Sequence, residues 1–304
     1  MGRIGPYLPG GRGMMHLYDI FFSPFTEFIF MRHALVACFA LAIGCAPVGM
    51  LLILRRMSLM GDALSHAVLP GAALGYLASG LSLYAMTIGG IIVGLTVALL
   101  AGAVARVTAL REDASFAALY LISLALGVLI ISMRGSSVDL IHVLFGTILA
   151  VDNPALILVA SITTVTLFSM ALIYRPLIVE CFDPGYLRSI GGYGAAMHFI
   201  FLVLVVLNLV AGFTALGTLM AVGMLMLPAA SGNFWAKQFW SASLAAAIIA
   251  MVSSYAGLLF SFYMNFPSGP SIILTSGIFY VFSVVFGKHG SLFSRHKAGR
   301  HLTG

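Results

Sequence analysis

The chain has 304 residues, 61% apolar and only 8% charged, whereas a soluble domain carries roughly a quarter charged residues, so a water-soluble globular protein is excluded. The net charge of +6 comes from Lys and Arg scattered through short connections and the tail, with no basic stripe between aromatic residues, which reports membrane orientation and excludes nucleic acid as a partner. Continuous apolar runs of about 20 residues, in place of alternating segments of about ten, exclude a β-barrel and predict an all-α, polytopic integral membrane protein with eight or nine transmembrane helices.

In chain order, residues 1–32 form a Gly- and Pro-containing N-terminus without the basic region, apolar run and small-residue cleavage site of a removable signal peptide. This segment is expected outside the cytoplasm, with residues 17–31 along the interface. Spans are predicted over residues 33–54, 62–80, 83–105, 115–133, 155–174, 195–212, 214–231, 240–263 and 270–287. Residues 288–304 form a cytoplasmic basic tail with His289, His296 and His301, and residues 1–304 read as a single transmembrane domain. The basic residues test this order, because cytoplasmic loops carry the excess of Lys and Arg. Nine spans put Arg55, Arg56, Arg106, Arg111, Arg175, Arg188, Lys237, Lys288, Arg295, Lys297 and Arg300 inside, against Arg3, Arg12, Arg32 and Arg134 outside.

An ionisable group within a span costs roughly 2.5 to 3.5 kcal/mol on insertion scales, so each one needs a reason. Asp19, Glu27, Glu112, Asp113, Asp152, Glu180 and Asp183 are expected in tails or loops, leaving Asp62 and Asp139 beside apolar segments, together with His33, His66, His142 and His198. Asp62 and His66 are four apart, which on a helix puts both side chains on one face. A carboxylate with an imidazole is a shell suited to zinc or manganese, while an all-oxygen shell suits magnesium or calcium. Ser65 stands beside them, in reach of a supporting hydrogen bond. At about 1.5 Å per residue, His66 lies about 15 Å beyond Arg56, near the middle of the membrane. The alternative at this stage is structural: Asp62 caps the N-terminus of its helix and His66 bonds a neighbouring one. Pro70, Gly71 and Gly75 then predict a bent helix that packs closely. Asp139 and His142 are three apart, also on one face, beside Ser136 and Ser137 at a loop end.

Cys38, Cys45 and Cys181 make neither a disulfide framework nor a C-x-x-C pair; Cys38 and Cys45 share a face, with small apolar packing the plainer role and a soft-metal role the other. Met220, Met224 and Met226 read as packing. A phosphate-binding loop is missing: Gly287 and Lys288 are adjacent, but Phe282 stands where its leading Gly would be. H-E-x-x-H is absent, and no second His-acid cluster on another span completes a zinc enzyme site.

The run MSLMGDALSHAVLPGAALGY, from Met57 to Tyr76, resembles the signature of the zinc and manganese ABC-transporter permeases, the ABC-3 family. Three further stretches agree in order: CFDPGYLRSIG from Cys181, ALGTLMAVGMLMLPAASG from Ala215, and NFPSGPSIILTSGIFYVFS from Asn265. The resemblance implies a multi-pass permease of the bacterial cytoplasmic membrane, not itself an enzyme. It would work as a pair with ATP-binding subunits, receive metal from an extracytoplasmic metal-binding protein, and hold no permanent cofactor. Its cargo would be a divalent transition metal, zinc first and manganese second. Asp62 and His66 match the family's acid and imidazole, and Asp139 matches an acid before Phe145, Gly146 and Leu149. The stretch with Asp183, Pro184, Tyr186, Leu187 and Ile190 resembles the helix that docks on the ATPase. The rival reading is a secondary metal carrier driven by an ion gradient, with Asp62 and His66 as a proton relay. An N-terminus this long and Gly-rich departs from the family pattern.

Overall fold

Apolar residues cover every face of these helices, so small residues and rare polar groups decide which face turns inward. In the computed structural model Ala34, Ala37, Cys38, Leu41, Ala42 and Cys45 are buried along one helix, while Ile88, Ile92, Leu121, Leu129, Leu172 and Ile278 on others point outward. The outward set is what a hydrocarbon surround requires. The structure describes residues 20–80, 82–132, 151–182 and 194–293; Asp139, His142 and the segment carrying Asp183, Pro184, Tyr186, Leu187 and Ile190 lie outside them.

The described helices, in chain order, are α1 (Ser23–Glu27), α2 (Ile29–Leu54), α3 (Ser58–Ala67), α4 (Leu69–Ser79), α5 (Leu83–Val107), α6 (Glu112–Ser132), α7 (Asn153–Phe182), α8 (Gly194–Leu216), α9 (Thr218–Gly232), α10 (Phe239–Met264) and α11 (Ser268–Phe286). Seven of them, α2, α5, α6, α7, α8, α10 and α11, are long and apolar enough to cross a membrane. The remaining two predicted spans differ from expectation. Residues 62–80 belong to a helix that starts earlier, at Ser58, and is interrupted at Val68, leaving α3 and α4 with 10 and 11 residues. Pro70 causes this, since it has no N–H to offer the His66 carbonyl. Residues 214–231 do not form a separate long span either. Gly217, at φ +93°, breaks the run between α8 and α9, and α9 has 15 residues, about 22 Å at 1.5 Å per residue and short of a 30 Å core.

Packing joins α2 to α7, α9 and α10, and joins α3 to α6, α8 and α9. The broken pair is therefore wrapped on several sides. Gly71 and Gly75 act as the G-x-x-x-G step suggests: a Cβ on Gly71 would strike the Gly89 carbonyl, and one on Gly75 the Ala85 carbonyl. Backbones of α4 and α5 thus touch directly. Ser123 of α6 donates to the Ala67 carbonyl at 2.9 Å, supporting the chain where the helix is interrupted. The hydroxyls of Tyr255 and Tyr263 donate to the carbonyls of Phe21 and Ile20, which fastens the entry to α1 against α10.

Two helix ends correct the placement of acids. Glu112 and Asp113 open α6 as its first turn, and α7 continues past residue 174 to Phe182. Glu180 is therefore in a helix and buried, not in a loop.

Candidate metal site

The site begins at the corner between α2 and α3. Arg56 takes the left-handed conformation, φ +57°; Met57 N–H donates to the Leu52 carbonyl at 2.9 Å and Arg56 N–H to the Ile53 carbonyl at 3.0 Å. That pair of bonds closes a helix end through one left-handed residue. A short, hydrogen-bonded corner leaves α3 little freedom of direction relative to α2.

Asp62 is the fifth residue of α3, whose N-cap is Met57 with no side-chain cap. The capping alternative for Asp62 therefore does not hold. His66 Nε2 lies 3.7 Å from Asp62 Oδ1, with the two side chains 30% and 62% exposed. The gap is just beyond hydrogen-bond range, so the pair is adjacent but not locked together. Two metal bonds of about 2.1 Å meeting at about 90° to 110° hold their donor atoms about 3.0 to 3.4 Å apart. A small side-chain rotation brings this pair to that separation.

His66 Nδ1 is buried and has no hydrogen-bond partner among the described residues, so the second alternative, a bond to a neighbouring helix, is not made there either. The Tyr120 ring of α6 stands 6.4 Å from the imidazole. Ser65 is buried, and its hydroxyl donates to the Asp62 backbone carbonyl at 2.8 Å. It braces the helix turn and reaches neither the carboxylate nor the imidazole. Among the described residues no third His, Cys, Asp or Glu completes a metal cluster.

The remaining candidates are placed as follows. His33 Nδ1 is 3.1 Å from the Val151 carbonyl, a tie between the first turns of α2 and the residues leading into α7. Cys38 and Cys45 are fully buried, and Cys45 Sγ faces Asn208 Oδ1 at 4.0 Å, so they serve the core. Asn208 was not singled out by sequence, yet its amide donates to Thr166 Oγ1 and to the Leu204 carbonyl, both at 2.8 Å. Met220 and Met224 are buried, with the Ser254 hydroxyl 3.7 Å from the Met224 sulfur.

A second charged constellation gathers at the C-terminal end of α2. Arg55, at the end of α2, sends one guanidinium nitrogen to His198 Nδ1 at 2.6 Å and the other to Glu180 Oε1 at 3.5 Å. Its charge also lies over the Phe201 ring, 4.7 Å from the centroid, a favourable cation–π placement. An arginine has no acceptor, so His198 Nδ1 must accept and the ring proton sits on Nε2. That nitrogen is 3.0 Å from Glu112 Oε1. Side chains of Arg55, Glu180 and His198 are 8%, 5% and 9% exposed. The only sequence signal for this cluster was the placement of an arginine and a histidine at span edges.

Comparison with known proteins places these features in a family. Residues 27–287 match the model of the ABC 3 transport family. The chain is 35% identical to the manganese import system permease protein ScaB of Streptococcus parasanguinis, over 86% of this chain and 92% of that one. It is 33% identical to the manganese transport system membrane protein MntC of Halalkalibacterium halodurans, over 92% and 95%. Among solved structures, PsaBC from Streptococcus pneumoniae in complex with Fab superposes with a TM-score of 0.79 at 31% identity, covering 89% of this chain and 96% of that chain. On this match the chain belongs to the ABC 3 transport family, as the membrane permease subunit of an ABC transporter whose ATP hydrolysis is the work of a separate subunit.

Proposed function

We propose that the chain carries a divalent transition metal into the bacterial cytoplasm, with Asp62 and His66 as ligands on the path. One observation supports this most: a carboxylate 62% exposed on the short helix α3, in a chain of membrane-spanning helices, 3.7 Å from an imidazole whose other nitrogen is unpartnered among the described residues. A carboxylate cannot face hydrocarbon at acceptable cost, so a water-filled path or a second protein surface must cover it. A second copy of this chain, with the path between the two, meets that requirement. Asp139 is a further ligand in this reading, since two donors leave a metal's shell unfilled.

Manganese is placed ahead of zinc here, reversing the order suggested by the sequence signature alone. Two relatives at 33% and 35% identity are named for manganese, and an oxygen-plus-imidazole pair accepts either ion. The cycle assigned is delivery by an extracytoplasmic metal-binding protein, exchange of hydration water for Asp62 and His66, and release inward when the helices rock. An ATP-binding subunit would drive it through the segment with Asp183, Pro184, Tyr186, Leu187 and Ile190.

The test is uptake into liposomes holding the chain with its ATP-binding partner and metal-binding protein. Manganese should accumulate only with ATP, and excess manganese should suppress zinc uptake more than the reverse. Accumulation driven by a proton or sodium gradient without ATP would replace this reading by the secondary-carrier one.

A further inference from the structure

The Arg55 cluster has no part in the proposed cargo site, yet it joins three helices through one guanidinium. Three of its members stand at places that matter mechanically. Arg55 sits at the end of α2, and only Arg56 and Met57 separate it from the helix that carries Asp62 and His66. Glu180 lies in the last turn of α7 and His198 is the fifth residue of α8, so the two stand on either side of residues 183–193 in the chain. One guanidinium therefore holds both stems of that segment and, through a three-residue corner, the base of α3.

The bonding is strong enough to transmit a displacement and incomplete enough to be broken. Arg55 to His198, at 2.6 Å, is a charge-assisted hydrogen bond in a buried setting. Arg55 to Glu180 is a longer contact at 3.5 Å, and Glu180 Oε2 is buried without a hydrogen-bond partner among the described residues. A buried acid with one oxygen unused is costly in a single static state, and is explained if the stems exchange partners between two states. A cation-binding role is disfavoured because the guanidinium already fills the space between the acid and the imidazole.

We propose that Arg55, Glu180 and His198 act as a clamp of positioning residues that passes motion of the 183–193 stems to α3, and so sets how Asp62 and His66 face the path. This rests on the proposed docking of the ATP-binding subunit on that segment. Coupling free energies between sites typically correspond to about 5- to 150-fold effects. Arg55→Ala and Glu180→Gln should therefore lower metal moved per ATP hydrolysed by about fivefold or more. Arg55→Lys, which keeps the charge but reaches only one partner, should recover part of the loss.

The experiment uses the complete reconstituted transporter with manganese and has two parts. The first is the ratio of manganese uptake to ATP hydrolysis in these variants. The second needs no variant: amide hydrogen exchange of the wild-type complex with and without ATP, where residues 58–67, 176–182 and 194–200 should change protection together. An unchanged ratio in assembled Arg55→Ala transporter overturns the clamp. So does wild-type exchange in which residues 58–67 respond while both stems do not, a result that stands even where a variant fails to assemble. Asp62→Ala with His66→Ala serves as the separating control. It should lose uptake but keep the joint exchange response, and normal uptake there would refute the metal site without touching the clamp.

Discussion

Two polar constellations in this membrane protein are built on opposite principles. Asp62 and His66 share one helix turn, are partly exposed, and leave donor atoms unengaged, with 3.7 Å between the nearest pair. Arg55, Glu180 and His198 come from three helices, are all under a tenth exposed, and engage one another at 2.6 and 3.5 Å. In an apolar protein, an ionisable group left open is available to a ligand, whereas one enclosed by counter-charges holds helices together. The contrast separates the site proposed to accept and release an ion from one whose partners are supplied by the fold.

The sharpest way to break that comparison is at the open pair. Asp62→Ala and His66→Ala should each reduce ATP-driven manganese uptake by at least about 100-fold, the upper end of what even an outer-shell partner contributes to a metal site, while protein level and assembly with the ATP-binding subunit, checked by co-purification, stay near wild type. The enclosed cluster should respond in the reverse order. Glu180→Ala leaves a buried guanidinium short of its counter-charge and should lower thermal stability of the purified protein by about 3 kcal/mol, a loss that Asp62→Ala does not share.

Smaller effects probe the frame that holds the two apart. Gly71→Val would push α4 off the Gly89 carbonyl and should cost about 1 to 3 kcal/mol by the same melting measurement. Asn208→Leu removes the interhelical bond to Thr166 and should cost about 0.6 kcal/mol, the average for such bonds in a membrane. Arg56→Gly relieves a left-handed residue at the corner and should stabilise by about 1 kcal/mol.

The difference between the two regions also explains what could be read in advance. Asp62 and His66 are four residues apart, so helical periodicity alone brought them together, and the MSLMGDALSHAVLPG run gave them a family context. Glu180 and His198 lie 125 and 143 positions from Arg55, and no local pattern carries such distances. Hydropathy worked against them as well. The charges of Arg175 and Glu180 lower the local average, so the predicted span stopped at residue 174, although α7 runs on to Phe182 with Glu180 buried. An ion pair inside a bundle and the end of a span look alike to a window that reads one strand of chain at a time. Ser65 shows the limit at short range: adjacency to the pair suggested support for it, but its hydroxyl turns to the Asp62 carbonyl.

The central claim is that a transported ion binds directly to Asp62 and His66. The most direct test is pulsed electron paramagnetic resonance of manganese bound to the assembled transporter. The predicted spectrum shows coupling to a directly coordinated imidazole nitrogen that disappears in His66→Gln. Bound manganese without any nitrogen coupling, or with a coupling that survives His66→Gln, would contradict the assignment.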